Sequence, residues 1–508
     1  MRPRVAAGRP RSRTRLATVA VLALALVTAG CMAPLATHED TPGAQDRDLG
    51  TVYGYEATDR IEIEDPSSLT ETELEALTYR TMARIEVIRG LQFTDDVDIE
   101  FYTREEIRER YDHDGEPASA FTNELWRGAF VVDGDTDVNE AFDRLYGDAV
   151  AGFYLDGRIV VVVDDPDTVS LDRDTFVHEL THALQDQQFG LERESTTIDG
   201  LRAENGLIEG EANYVPYLYA QYCERDPEWE CLPTADELET ADGVSDDVED
   251  AAQPADELNV GLFLSIFAPY SEGPTFVQHL HETGGWAAVD DAFEDRPAST
   301  SQIIHPDRYP DDRPVDVEVP DRSSSGWMPM TDDDGEVKTE TVGEATLFST
   351  LLANGAIDHD LTTGDDLSPY NYSHPATDGW AGDTFVAYED EGATAVGHVW
   401  ALEWQSDADA ERFAAAYERL LEERGAEAVS GAEDTYRVPA DEPFAGTYRV
   451  TVDDDRVELV GGPSVNAIEA IRPPADTDVD VHSNAWLSAP VTSPSTTGAG
   501  TDVAVASS

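Results

Sequence analysis

Apolar residues recur at helical or strand spacing along the first two thirds of the chain. Phe176, Leu180 and Leu184 lie on one helix face, and Ser170 and Asp172 upstream are candidate N-caps. The β-branched run Arg158–Val163 predicts a buried or half-buried strand just before this helix. Further elements of the same region are a helix near Thr70–Gly90, a strand near Val97–Tyr102 and a helix from about Leu201 to Tyr222. We assign these elements to one domain, residues 52–325.

A second set of periodic segments follows residues 326–340, which are predicted to be a linker. Both helical and strand periods occur in it, so residues 340–472 are predicted to be a smaller α+β module. Its expected elements are a helix at Thr341–Asn354, strands at Thr384–Tyr388 and Ala395–Trp404, a helix at Asp407–Arg424, and a hairpin of Tyr448–Val452 with Arg456–Val460. Residues 473–508 are rich in Ser, Thr, Ala, Gly and Pro without periodicity, which predicts a disordered tail.

The N-terminus has the pattern of an export signal. Arginines from Arg2 to Arg15 precede an apolar run from Leu16 to Val27, which is shorter than the roughly 20 residues of a membrane span. Small residues before Cys31 resemble a lipobox, in which the cysteine receives lipid. We therefore predict a signal peptide at 1–30, a tether at 31–51, and anchoring of Cys31 on the outer face of the cell membrane. Simple cleavage and secretion is the alternative.

The net charge of the chain makes some classes of binding partner unfavourable. The 508 residues carry 106 acidic and 33 basic side chains, a formal net charge of −73. Nucleic-acid binding is disfavoured because phosphates would be repelled. Since the hydrophobic fraction of 40% is sufficient for cores, the charge indicates adaptation to concentrated salt instead of disorder.

One pentapeptide has the residue types and spacing of a catalytic metal site. It is an HExxH motif formed by His178, Glu179 and His182 with two intervening residues. Histidines four residues apart lie one turn apart on a helix face and can bind one zinc ion together. The glutamate beside the first histidine is then placed to take a proton from a water. With 11 histidines in the chain, chance would produce such a motif on the order of 0.02 times. An ordinary helix with two surface histidines is the alternative.

A third protein ligand is needed, and three carboxylates compete on the next predicted helix: Glu204, Glu209 and Glu211. At about 100° per residue, Glu211 lies about 200° and Glu204 about 140° from Glu209, so only one of them faces the metal squarely. Periodicity alone leaves the choice open.

Residues Glu209 to Tyr214, together with the HExxH motif, resemble the Glu-Gly-x-Ala-x-Tyr element of gluzincin metallopeptidases. The resemblance covers roughly residues 75–310 and implies a zincin-like fold with a mixed sheet and a HExxH helix. It also implies Zn²⁺ as cofactor and Glu209 as the third ligand. Gly210 is expected to let the HExxH helix approach the Glu209 helix closely.

Two later segments, Gly273–Trp286 and Pro297–Pro306, resemble an uncharacterised family of surface lipoproteins with HExxH helices from extreme halophiles. In this region His305 and Tyr270 are candidate donors to a tetrahedral oxyanion. The simpler interpretation is that His305 closes a loop against the core.

Cysteine usage agrees with export. With Cys31 lipidated, Cys223 and Cys231 remain eight residues apart and are predicted to form a disulfide in an oxidising exterior.

The expected function is an exported, lipid-anchored zinc metallopeptidase that hydrolyses peptide bonds at high salt. His178, His182 and Glu209 would bind the metal, and Glu179 would be the general base. The strand Arg158–Val163 is expected to pair with an extended peptide or protein substrate. A non-catalytic surface binding lipoprotein on the same scaffold is the alternative. The sequence does not define the oligomeric state.

Overall fold

The computed structural model describes residues 47–66, 68–103, 105–106, 117–146, 152–155, 157–163, 169–232, 234, 258–364 and 367–474. The predicted signal peptide, Cys31, most of the tether and nearly all of the predicted tail lie outside these residues. Within them, no helix is both long and apolar enough to cross a bilayer.

The fold is α+β. In chain order the helices are α1 Glu71–Arg89, α2 Ala120–Gly128, α3 Val138–Tyr146, α4 Arg173–Phe189, α5 Ile198–Arg225, α6 Val260–Gly284, α7 Trp286–Glu294, α8 Thr300–Ile304, α9 Glu344–Ala353, α10 Asp407–Glu423 and α11 Val465–Ile471. The strands are β1 Thr51–Val52, β2 Tyr55–Glu56, β3 Asp98–Thr103, β4 Gly152–Leu155, β5 Arg158–Val163, β6 Trp327–Pro329, β7 Trp380–Asp390, β8 Val396–Trp404, β9 Glu427–Ala428, β10 Thr435–Val438, β11 Gly446–Asp453 and β12 Arg456–Gly462.

A small mixed sheet precedes the HExxH helix. Its order is β3-β5-β4, with β3 parallel and β4 antiparallel to β5. The sequence predicted that Arg158–Val163 pairs with substrate, and this prediction is wrong: β5 is the central strand, so its backbone groups are already shared with a neighbour on each side. Only an edge strand offers free donors and acceptors.

Helices α4 and α5 begin at polar N-caps and have buried faces. The side chain of Asp172 accepts a hydrogen bond from the backbone N–H of Thr175 at 2.8 Å, and Thr197 caps α5 in the same way. Phe176 and Leu180 of α4 are buried in the core beneath the small sheet. Helix α5 runs for 28 residues, and Pro216 does not divide it. Cys223 in its last turn forms a disulfide with Cys231, which lies beyond its end, and their Cα atoms are 5.9 Å apart.

Glycines bring α5 and α6 into backbone contact. A Cβ on Gly210 would lie 2.4 Å from the carbonyl oxygen of Gly273, and a Cβ on Gly273 would lie 2.2 Å from that of Gly206. Both distances are far below van der Waals contact. Gly210 was expected to admit the HExxH helix, but the element packed against it is α6. The helical rotation of about 100° between neighbouring residues turns Gly210 away from the face that carries Glu209.

The second sheet has seven antiparallel strands in the order β6-β7-β8-β12-β11-β10-β9. Residues 326–340 were predicted to be a linker; instead β6 pairs with β7, and Glu340 bridges to Phe385. The helix predicted at Thr341–Asn354 is α9, which begins three residues later.

One apolar core spans both predicted units. Leu125 of α2, Phe263 of α6 and Trp400 of β8 belong to the same buried cluster. The start of α5 is tied to the segment before α9: the backbone N–H of Asp199 donates to the carbonyl of Thr341 at 3.1 Å, and the N–H of Ile198 donates to Glu340 at 2.7 Å. The C-terminal half therefore supports the helix that carries Glu209.

Candidate metal centre

The two motif histidines lie on the buried face of α4 and point to one place. Their spacing of four residues puts them one turn apart, and the Nε2 atoms of His178 and His182 are 3.0 Å from each other. Both side chains are buried. The helix is fixed at this depth by Phe176 and Leu180, which pack into the core.

Glu209 of α5 completes a triangle. Its Oε2 lies 3.4 Å from Nε2 of His178 and 3.3 Å from Nε2 of His182. Tetrahedral zinc, with bonds of about 2.0–2.2 Å, holds its ligand atoms roughly 3.3 Å apart. The three atoms thus have the spacing of three ligands of one zinc ion. The residues present fit the metal that the motif implies.

The other two carboxylates on α5 have different partners. Glu204 forms an ion pair with Arg296 at 3.0 Å and accepts the backbone N–H groups of Glu194 and Ser195. Glu211 forms an ion pair with Arg89. Among the three candidates, only Glu209 meets the histidines.

The electrostatics describe a site that binds positive charge. Burial acts to raise the pKa of the Glu209 carboxyl, but His182 and His178 outweigh it and hold that pKa well below its usual range. Burial acts to lower the pKa of His182, but the Glu209 carboxylate outweighs it and raises that pKa to about 9. Since metal ligands bind as a deprotonated carboxylate and neutral imidazoles, a divalent cation could take the place of the proton that His182 holds beside Glu209.

Several buried polar atoms here have no hydrogen-bond partner among the described residues. They include both carboxylate oxygens of Glu179 and the Nδ1 of His178. Burial raises the pKa of Glu179, although the two histidines oppose this effect. An unpaired buried carboxyl group costs folding free energy, so its presence beside two histidines indicates a role outside the fold's own hydrogen bonding.

A second cluster of potential ligands lies at the end of α8. Nε2 of His305 is 2.8 Å from Glu344 and 3.7 Å from Asp378, but Arg308 also contacts Glu344, at 3.2 Å. Because a guanidinium already neutralises the buried carboxylate, we interpret this group as an ion-pair network that joins α8 to α9. His305 is engaged there, in agreement with its simpler interpretation. The ring of Tyr270 stacks on Phe267.

The sequence analysis missed two residues near the candidate metal ligands. Gln185 follows His182 by three positions and His178 by seven, so helical spacing alone placed it on the ligand face. Its Oε1 lies 2.8 Å from Nδ1 of His182. Arg193 follows the end of α4. Burial lowers the pKa of its guanidinium, and the Glu209 carboxylate is the charge that opposes this effect most strongly. No periodic signal identifies a residue in such an irregular segment.

Comparison with known proteins gives one match. Residues 329–472 match a family model described as a domain of unknown function (DUF8575). No curated protein and no solved structure matches the chain. The matched residues run from the end of β6 to just past α11 and contain most of the seven-stranded sheet. His178, His182 and Glu209 all lie outside the match, on its N-terminal side.

Proposed function

We propose that the protein is a zinc-dependent peptidase with a zincin-like catalytic region. The observation that carries the proposal is the convergence of two Nε2 atoms and one carboxylate oxygen within 3.0–3.4 Å of one another, beside an unpartnered Glu179. A purely structural site has no use for that fourth group. The resemblance of the HExxH motif and the Glu209 segment to gluzincins supports the same function.

Each side chain then has a defined task. Zinc would be held by three atoms: Nε2 of His178, Nε2 of His182 and Oε2 of Glu209. Bound there, the ion would act as a Lewis acid, which polarises a peptide carbonyl and lowers the pKa of a water. The Glu179 carboxylate accepts the proton of the attacking water and donates it to the departing amine nitrogen. Burial of Glu179 keeps bulk water from competing for that proton.

The small sheet offers a place for an extended substrate. Strand β4 is one of the two edge strands of this sheet and runs antiparallel to β5. The hydroxyl of Tyr154 on β4 donates to Asp186 of α4 at 2.8 Å, which ties this edge to the HExxH helix. We propose that a peptide pairs with β4, in place of the role expected for β5.

The test measures metal content and peptide cleavage on the mature protein in multimolar salt. We expect about one zinc per chain in the wild type and loss of zinc in His178→Ala and Glu209→Ala. Glu204→Ala is the matched control, because Glu204 lies on the same helix but pairs with Arg296, and this variant should keep the metal. Glu179→Gln should retain zinc while peptide hydrolysis falls by about 10²–10⁴-fold or more.

Three results would count against the proposal. A wild type without stoichiometric zinc would remove the metal centre. A Glu179→Gln variant with wild-type turnover would remove the general base. Zinc binding without cleavage of any peptide in a library would favour the non-catalytic binding protein.

A further inference from the structure

The metal ligand His182 contacts the protein through its second ring nitrogen. Nδ1 lies 2.8 Å from Oε1 of Gln185, whose side chain is 1% exposed. A histidine that binds metal through Nε2 carries its proton on Nδ1, and the acceptor of that proton fixes the tautomer and the ring orientation. Gln185 is in the position of that acceptor.

The orientation of the Gln185 amide follows from its other contacts. Nε2 of Gln185 is 2.9 Å from the carbonyl oxygen of Ile208 and 2.8 Å from Oε2 of Glu211. Both partners only accept hydrogen bonds, so the NH₂ group must face them. The amide oxygen is then left for His182. If the amide were flipped, its oxygen would face the carbonyl oxygen of Ile208 and Oε2 of Glu211, and neither contact could be a hydrogen bond.

Glu211 is itself held in place by a buried ion pair. It forms an ion pair with Arg89 of α1, and both side chains are 1% exposed. A second carboxylate, Asp290 of α7, lies 2.5 Å from the same guanidinium. The Arg89 guanidinium also lies over the ring of Trp286, with its Cζ 4.5 Å from the ring centroid. The chain of contacts from Arg89 to His182 thus crosses three helices without a gap.

The same contacts set the distance between the two ligand helices. The Ile208 carbonyl belongs to the residue before Glu209, and Gln185 lies three residues after His182 on the other helix. One side chain therefore links the backbone next to the third ligand with the ring of the second ligand.

We infer that Gln185 is a positioning residue that fixes the Nε2-binding tautomer of His182, and that the Arg89–Glu211 ion pair orients Gln185. This inference rests on the proposed metal centre. It adds to that proposal an outer contact in which an amide, oriented by a buried ion pair, takes the place of a carboxylate acting directly on the histidine.

The experiment titrates Co²⁺ into metal-free, full mature protein in multimolar salt and records the visible d–d absorption together with the affinity. Gln185→Leu should weaken binding by about 10–100-fold and alter the d–d bands, because the ring of His182 loses its tautomer partner. Gln188→Leu is the matched control: Gln188 is on the same helix and donates to the carbonyl of Gln92 at 2.8 Å, away from the histidines. It should leave both readouts unchanged.

A charge exchange separates positioning from simple packing. Gln185→Glu keeps an acceptor for His182 but puts two carboxylates together, so it should weaken Co²⁺ binding. Adding Glu211→Gln removes the repulsion and should restore affinity above that of either single variant. Circular dichroism checks that each variant is folded.

The outcomes are distinct. The positioning role would be overturned, with the metal centre left intact, if the wild type binds Co²⁺ and the folded variants Gln185→Leu and Gln185→Glu keep the same affinity and spectrum. Additive losses in the double variant would also overturn it. Wild type that takes up no Co²⁺ would overturn the metal centre, and this inference with it.

Discussion

Asp199, in the first turn of α5, is a buried carboxyl group with incomplete hydrogen bonding. One oxygen accepts the backbone N–H and the hydroxyl of Thr300, and the other has no partner among the described residues. Burial, with a smaller contribution from Asp383, raises the pKa of Asp199 to about 7, although the bonds from Thr300 oppose this. The residue therefore favours its protonated form in the folded protein.

This predicts a pH-dependent effect of Asp199→Asn. A raised carboxyl pKa means that the unfolded chain ionises from about pH 4 while the folded protein stays protonated, so stability falls as pH rises towards about 7. The asparagine amide does not ionise, so the variant does not lose stability in this way as pH rises. We expect the variant to gain on the order of 2–4 kcal/mol in free energy of unfolding at pH 8 relative to wild type, and little at pH 4.

Denaturant unfolding at both pH values measures it. The exposed Asp311→Asn is the control and should shift neither curve. Equal gains at pH 4 and pH 8 would show that ionisation of Asp199 is not the cause.

At the scale of elements, the position of α5 is decided by two contacts on neighbouring faces. One face meets the histidines of α4 through Glu209, and the adjacent face touches the backbone of α6 at Gly206 and Gly210. Because Gly210 directly follows Glu209, a displacement of α5 at this crossing moves the proposed third ligand. Close helix packing and metal geometry are therefore coupled.

Gly210→Ala tests that coupling. The new Cβ would lie 2.4 Å from the Gly273 carbonyl oxygen, which is backbone and cannot rotate away, so the helices must separate. Overpacking of this kind costs about 1–3 kcal/mol, and we expect zinc affinity to fall as well. Gly261→Ala on α6 is the control, since its Cβ would approach no closer than 3.3 Å to a side chain. Thermal unfolding and zinc titration report the two effects; unchanged values for Gly210→Ala would refute the coupling.

At the scale of the whole molecule, the net charge of −73 opposes the compact state. The Debye length falls from about 10 Å at 0.1 M salt to about 3 Å at 1 M, so concentrated salt removes most of the repulsion between surface carboxylates. We expect the melting temperature to rise steeply from about 0.1 M to about 3 M KCl. Sucrose at matched water activity, which does not screen charge, is the control. A melting temperature independent of KCl would contradict the interpretation of the charge.

Local patterns predicted most of the elements well. The strand Arg158–Val163 has the predicted bounds, and α10 and α4 begin at polar caps that can be read from sequence. The histidines of the HExxH motif needed only the helical period to be placed together. Errors arose where a residue's partner is distant in sequence: the strand at 327–329 lies in the predicted linker, because only pairing with β7 makes it a strand.

The sequence by itself determined the candidate ligand residues, their helical face and the approximate bounds of the elements, because spacing within one helix and capping depend on neighbours a few residues away. The tertiary structure decided which carboxylate meets the histidines, since Arg296 and Arg89 occupy Glu204 and Glu211 from other helices. It also decided that β5 is central, that Gly210 touches α6, and that one core joins the two halves. These are non-local packing choices, and no periodicity along the chain encodes them directly.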